Sequence, residues 1–60
     1  METKQIKKLK AGDRLLYTDA KGVSKIGEVT QVFNDRIHLD LHTGVYEIKH
    51  DLLKNAELID

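Results

Sequence analysis

The sequence predicts a small all-β domain of five short strands that close into a barrel, with one turn of 3₁₀ helix before the last strand. Three observations indicate this fold class. Glycine occurs four times and proline is absent. Short runs rich in Val, Ile, Leu, Thr, Tyr and Phe lie between the glycines, as is typical of strands joined by tight turns. The 60-residue length fits one domain, residues 1–60.

Turn-forming residues separate the elements. The predicted strands are Arg14–Thr18, Lys25–Phe33, Arg36–His42, Val45–Lys49 and Ala56–Ile59. The predicted turns between the first four strands are Asp19–Gly22, Asn34–Asp35 and Thr43–Gly44. Their Asp, Asn and Gly residues tolerate left-handed backbone or bond to nearby backbone groups. The segment His50–Lys54 before the last strand is predicted to form one turn of 3₁₀ helix.

In a regular second strand, Val29 and Val32 would point to opposite faces. If Asn34–Asp35 is the whole turn, Val32 faces Ile37 of the third strand on the core side. Val29 then reaches the core only if one extra residue is inserted near Thr30 and Gln31. The sequence therefore predicts a β-bulge at that point, which also supplies the bend that a small barrel needs.

The register of the third and fourth strands follows from their apolar alternation. If Thr43–Gly44 is the whole loop, Leu41 faces Tyr46 and the apolar residues meet on one side. The same register sets Asp40 directly opposite Glu47, which is unfavourable because both side chains are acidic.

The alternation also predicts the core and the role of the N-terminus. The predicted core consists of Leu15, Tyr17, Val29, Val32, Ile37, Leu39, Leu41, Ile48 and Leu53, with Tyr46 also expected to be buried. Ile6 and Leu9 are three residues apart, as on one face of a helix. Residues 1–10 are therefore predicted to form a basic cap or arm, helical or extended, over one end of the barrel.

Three segments carry recognisable motifs. Leu9–Tyr17 matches the pattern L-x-x-G-D-x-V-x-Y, with Leu in place of Val, and Gly27–Val32 matches G-x-V-x-x-V. Thr43–Leu53 supplies a turn, a strand and a 3₁₀ segment. Together they resemble the SH3-like small β-barrels, most closely the KOW and Tudor-like branches. The resemblance implies a binding module, because members of this fold bind RNA, DNA, peptides or protein surfaces. Free-standing barrels of this size are often found in bacteria and phages.

Composition argues against several functions. No tryptophan is present to line a proline-peptide groove, and only Tyr17, Phe33 and Tyr46 are available for a methyl-lysine cage. The absence of cysteine excludes disulfides and thiolate metal sites. Ser24 has no histidine near it in sequence to activate it. No apolar run approaches the roughly 18 residues needed to cross a membrane. We therefore expect a non-enzymatic cytoplasmic protein, complete as a small gene product, without a cofactor.

One spacing resembles a metal site. His38, Asp40 and His42 alternate along the predicted third strand, so their side chains would share one face. The alternative is a solvated polar face flanked by other charged residues. We expect no functional metal, because nothing in the sequence marks groups that would orient the histidines.

Two classes of partner remain open. Ten basic and ten acidic residues balance, which favours a protein partner for an accessory or regulatory module. A KOW-like nucleic-acid binder is the alternative, using the N-terminal lysines (Lys4, Lys7, Lys8 and Lys10) and the first two loops. The predicted binding residues are Lys21, Lys25, Phe33, Asn34 and Arg36. Phe33 is expected to face Arg36, where the guanidinium can stack on the ring. The favoured alternative is that Phe33 packs under the loop as peripheral core and that the lysines only keep the surface soluble. The sequence leaves the oligomeric state open.

Overall fold

The computed structural model describes residues 1–59. They contain one antiparallel sheet of five strands in the order β4-β3-β2-β1-β5. The strands are β1 (Arg14–Thr18), β2 (Ser24–Val32), β3 (Arg36–Asp40), β4 (Val45–Lys49) and β5 (Glu57–Leu58). A short helix, α1 (Thr3–Lys7), precedes the sheet, and a 3₁₀ helix, His50–Asn55, leads into β5. The all-β class and the 3₁₀ helix before the last strand are thus confirmed.

The turn between β1 and β2 forms for the reasons that its sequence indicates. The Asp19 carboxylate accepts the backbone N–H groups of Lys21 at 2.8 Å and Val23 at 3.0 Å. Gly22 adopts φ +84°, where a side chain would be strained. The turn is therefore fixed by its own residues, and it positions Val23 at the end of the sheet.

The bulge in β2 lies where the sequence predicts it. Val29 pairs with Leu39 but Gln31 pairs with His38, so two residues of β2 advance the register by only one residue of β3. Thr30 is the extra residue. Because this residue is inserted, the side chain of Val29 points into the core, where it is fully buried.

The predicted register between β3 and β4 is wrong by two residues. The loop is Leu41–Gly44 rather than Thr43–Gly44, and Leu39 instead of Leu41 faces Tyr46. The Asp40 carboxylate accepts the His42 N–H at 2.9 Å, which turns the chain early. His42 then adopts φ +73°. A shift of two residues keeps every side chain on its predicted face.

This register changes one predicted contact. Asp40 pairs with Val45, and Glu47 lies opposite His38. The like-charge pair of Asp40 and Glu47 expected from the sequence therefore does not form. Glu47 instead lies among groups that carry or can carry positive charge.

The core is close to the one that the sequence predicts. Its buried residues are Ile6, Leu9, Leu15, Val29, Ile37, Leu39, Ile48, Leu53 and Ala56. Tyr17 and Leu41 pack against it while partly exposed. Val32 is 38% exposed because it ends β2, and Tyr46 is 45% exposed on the edge strand β4. The prediction that these two residues are buried is therefore wrong.

The N-terminal segment packs on the core as a helical cap. Ile6 and Leu9 are both buried. The Met1 ammonium donates a hydrogen bond to the Lys54 carbonyl at 2.8 Å, which links the start of the chain to the 3₁₀ helix. Within residues 1–59, no helix is long and apolar enough to span a lipid bilayer.

Candidate functional site

The five predicted binding residues lie at two opposite ends of the sheet. Lys21 and Lys25 belong to the β1–β2 hairpin, whereas Phe33, Asn34 and Arg36 belong to the β2–β3 turn. These turns sit at the two ends of β2, a strand of nine residues. At about 3.3 Å per residue, they are too far apart to form one site.

At the β2–β3 end, five side chains form a compact group that we call the guanidinium cluster: Phe33, Asp35, Arg36, His38 and Glu47. The Arg36 guanidinium carbon lies 4.8 Å from the centre of the Phe33 ring, so the stacking that the sequence allows is present. The His38 ring meets the same phenylalanine edge-to-face, with 4.9 Å between ring centres. The ring of Phe33 is thus contacted by two neighbouring side chains.

The charge of Arg36 is balanced within the cluster. Its Nη1 donates to Asp35 Oδ1 at 2.9 Å. Its Nε lies 3.1 Å from Glu47 Oε2, although the N–H does not point along that line. Glu47 Oε2 is also 3.9 Å from His38 Nε2. The charge of Arg36 is therefore already paired with two carboxylates, which weakens its attraction for an anionic ligand.

A shallow hollow of about 290 Å³ lies beside the cluster. It is lined by Ile6, Lys7, Val32, Phe33, Asn34 and His50. Lys7 comes from α1 and Phe33 from the β2–β3 turn. One N-terminal lysine and two predicted binding residues, Phe33 and Asn34, therefore share a surface.

The predicted alternation of His38, Asp40 and His42 is interrupted. β3 ends at Asp40, and the left-handed backbone of His42 takes this residue out of the strand. In the part of the chain that the structure describes, no three side chains of His, Cys, Asp or Glu come together as a metal site would require.

At the other end lies a groove of about 300 Å³, which we call the tyrosine groove. Its lining residues are Tyr17, Asp19, Val23, Lys25, Leu41, Thr43, Tyr46 and Ile48. They come from β1, the β1–β2 hairpin, the β3–β4 loop and β4. β1 and β4 are not neighbours in the sheet, so the sheet curves enough for both strands to line one groove.

Part of the exposed apolar surface lies at this end. Of the eight large apolar residues that are substantially exposed in residues 1–59, Val23 and Tyr46 line the groove and Ile26 lines the hollow next to it. The charged residues of the lining are Asp19 and Lys25, which cancel. Lys25, Leu41 and Thr43 also line a second hollow that reaches Ile26. The apolar surface therefore continues from the groove onto the outer face of β2.

The sequence indicated only part of this groove. Lys25 was predicted to bind and lines it, and Lys21 lies in the turn beside it. Tyr17 and Tyr46 were assigned to the core because they share its parity. Alternation along a strand does not reveal the order of the strands in the sheet. Tyr46 lies on the edge strand β4, so no further strand within residues 1–59 covers its side chain.

Comparisons with known proteins supply no relative for this chain. No protein-family model matches it, and neither a curated protein nor a solved structure does. Its candidate sites are therefore defined by the geometry of its own residues.

Proposed function

We propose that this chain is a small non-enzymatic binding module, an SH3-like barrel of the KOW or Tudor-like branch, that docks on another protein through the tyrosine groove. The observation that carries the proposal is the mainly apolar and aromatic lining of this groove, in which Val23 and Tyr46 are exposed. An accessory or regulatory protein of bacterial or phage type fits this role. The antiparallel five-stranded sheet and the 3₁₀ helix before β5 support the fold that the motifs imply.

The groove has the composition of a protein-binding site. Tyrosine is enriched among the residues that contribute most to binding at protein interfaces. Tyr17 and Tyr46 provide two such side chains, and the hydroxyl oxygens of Tyr46 and Thr43 lie 3.2 Å apart. Apolar area removed from water contributes roughly 25 cal/mol per Å². The balanced charge of Asp19 and Lys25 gives no general attraction for a polyanion.

Nucleic-acid binding is the second candidate, and the position of Lys7 is the observation that favours it. Lys7 lines the same hollow as Phe33 and Asn34, so a phosphate and a base would have adjacent contacts. Two features oppose it. The charge of Arg36 is balanced by carboxylates, and Lys21 and Lys25 lie at the opposite end of the sheet.

Two aromatic truncations separate the candidates. Random peptides of about ten residues, long enough to form one strand, are displayed and selected on the wild-type protein, and a selected peptide is titrated into the variants. Tyr46→Ala is expected to weaken binding by at least about tenfold, because it removes an interface aromatic. Phe33→Ala is the matched control, since its ring is similarly exposed but already packed under Arg36. Thermal melts confirm that both variants fold.

The nucleic-acid arm uses single- and double-stranded DNA and RNA. If the partner is a protein, we expect the chain to bind these nucleic acids only weakly in about 50 mM salt, with little change in affinity up to about 200 mM. Tight binding that falls steeply over that range, and that is lost in Lys7→Ala, would contradict the protein-partner proposal and establish the second candidate.

A further inference from the structure

β4 is an edge strand whose outer side has no partner within residues 1–59. It pairs with β3 alone. Leu41 donates to the Gly44 carbonyl at 3.1 Å and His50 donates to the Asp35 carbonyl at 3.0 Å. In an antiparallel pair the hydrogen-bonded positions alternate, so even-numbered residues of this segment bond to β3. The N–H and C=O groups of Val45, Glu47 and Lys49 therefore point away from the sheet.

This edge has only some of the features that protect free strands. Edge strands are often very short, carry proline or charged side chains, or are interrupted by a bulge. Of these features β4 has the charged side chains, Glu47 and Lys49. β4 has five residues, contains no proline and pairs with β3 without a register shift. Val45 is 58% exposed and Tyr46 45%. The opposite edge, β5, is only two residues long. The β4 edge therefore offers a further strand a longer row of backbone groups than the β5 edge does.

Resting on the proposed function, we infer that the partner presents an extended polypeptide segment that adds as a strand to the free edge of β4. Tyr46 and Ile48 lie on the groove side of β4, and Val23 lies across the groove. A strand paired to β4 sends alternate side chains to one face. Those side chains enter the groove, so the segment carries apolar residues at every second position and no proline where it pairs.

The backbone groups of the edge select this class of partner. Val45, Glu47 and Lys49 offer donors and acceptors at strand spacing, which only another extended backbone matches throughout. Strand addition of this kind derives affinity from main-chain hydrogen bonds and specificity from pockets for alternate side chains. A helix leaves the edge groups unpaired, and a nucleic acid finds no net positive charge in the groove.

A second copy of this chain fits the edge less well. Full overlap of two β4 strands about a two-fold axis pairs Val45 with Lys49 and sets the two Glu47 carboxylates opposite each other. Like charges that face each other across strands are destabilising. This repulsion disfavours the fully overlapped dimer, and we take a segment of another protein as the occupant.

The experiment uses the peptides selected on the full chain. Backbone N-methyl groups are placed one at a time along a selected peptide, because each removes one donor without changing a side chain. If the peptide adds as a strand, we expect N-methylation to lower its affinity by at least about tenfold at alternate positions and to change it little at the positions between them. Amide hydrogen exchange at Val45, Glu47 and Lys49 is expected to slow when the peptide binds.

Each other outcome has a distinct meaning. Peptides that require Tyr46, show no alternation and leave the three amides exchanging rapidly would overturn strand addition while leaving the groove function intact. Failure to select any peptide would overturn both, because the library contains extended apolar-alternating segments. Protection of the same amides that rises with protein concentration, together with dimers in sedimentation, would show that a second copy occupies the edge and would also overturn the inference.

Discussion

The two ends of the sheet present aromatic side chains of similar exposure in opposite environments. Phe33 is 36% exposed at one end and Tyr46 is 45% exposed at the other. Arg36 stacks on the Phe33 ring and His38 meets it edge-to-face. Tyr46 instead lines an open groove and makes a hydroxyl contact with Thr43. Two aromatic residues of similar exposure therefore differ in how much of the ring is free for a partner to contact.

Charge follows the same contrast. Arg36 lies between the carboxylates of Asp35 and Glu47. Lys25 lines the tyrosine groove and forms no ion pair with any other residue in 1–59. The guanidinium cluster thus pairs its charges internally, whereas the groove leaves apolar surface and one ammonium for a partner. This division can be tested by substitution, and the largest effect is expected at the residue on which both ends depend.

Leu39→Ala is expected to cost about 2–5 kcal/mol, as other large-to-small core substitutions do. Leu39 is fully buried in the central part of the sheet, where it pairs with Val29 and Tyr46. A core of this size supplies only about 3–5 kcal/mol in total, so both ends should unfold together. Urea denaturation followed by circular dichroism measures the effect. A loss below about 1 kcal/mol would show that the inward face of β3 is misassigned.

Gly27→Ala is expected to cost about 1–3 kcal/mol, as overpacking does. A Cβ at Gly27 would lie 2.6 Å from Leu41 Cδ2, 2.8 Å from Leu39 Cγ and 2.9 Å from the Asp40 carbonyl oxygen. The backbone atom cannot rotate away, so the end of β3 and the β3–β4 loop must move. Amide chemical shifts should change around Leu41 and Thr43 on the tyrosine groove while those of Arg36 stay in place. Shifts spread equally over both ends would contradict the independence of the two regions.

The sequence predicted those features that depend on local residue chemistry. The Asp19 turn, the bulge at Thr30 and the stacking of Arg36 on Phe33 each follow from residues close in sequence, and all three are present. The loop after β3 was placed two residues late. Apolar parity is unchanged by an even shift, so alternation contains no information that separates the two registers.

The candidate site was predictable only in part, because it depends on strand order. The five binding residues were expected together, yet β2 separates Lys21 and Lys25 from the rest. Tyr46 has the same parity as the buried Ile48, and nothing local distinguishes a residue that is covered from one at an open edge. Only the arrangement of β1 and β4 around the groove shows which tyrosine faces are free.

Arg36→Ala is expected to cost about 1 kcal/mol, combining an exposed cation–π contact with surface ion pairs. The substitution removes the group that covers Phe33 and that Asp35 and Glu47 approach. Lys49→Ala is the matched control, because Lys49 pairs with Arg36 across the strands but makes no ion pair within the described chain. Chemical denaturation measures both. Equal losses in the two variants would show that the cluster does not stabilise its end of the sheet.

Lys49→Pro is expected to change stability by less than about 1 kcal/mol, and in the favourable direction. Lys49 already has φ −71°, which is the value that proline imposes, and its N–H points away from β3. Ile48→Pro is the contrasting variant. Its N–H bonds to β3, so the substitution should cost about 3 kcal/mol or more.

This pair of proline variants tests the orientation of the β4 edge at the end that carries the guanidinium cluster. If Lys49 instead donated a hydrogen bond to another element, Lys49→Pro would lose stability and approach Ile48→Pro. If the Lys49 N–H points outward, Lys49→Pro melts at or slightly above the wild-type temperature.

Lys49→Pro also removes one hydrogen-bond donor from the free edge of β4 without changing a residue that lines the tyrosine groove. A strand that extends along β4 as far as Lys49 should then bind more weakly to Lys49→Pro than to Lys49→Ala. A ligand held only by the side chains of the groove should bind both variants equally.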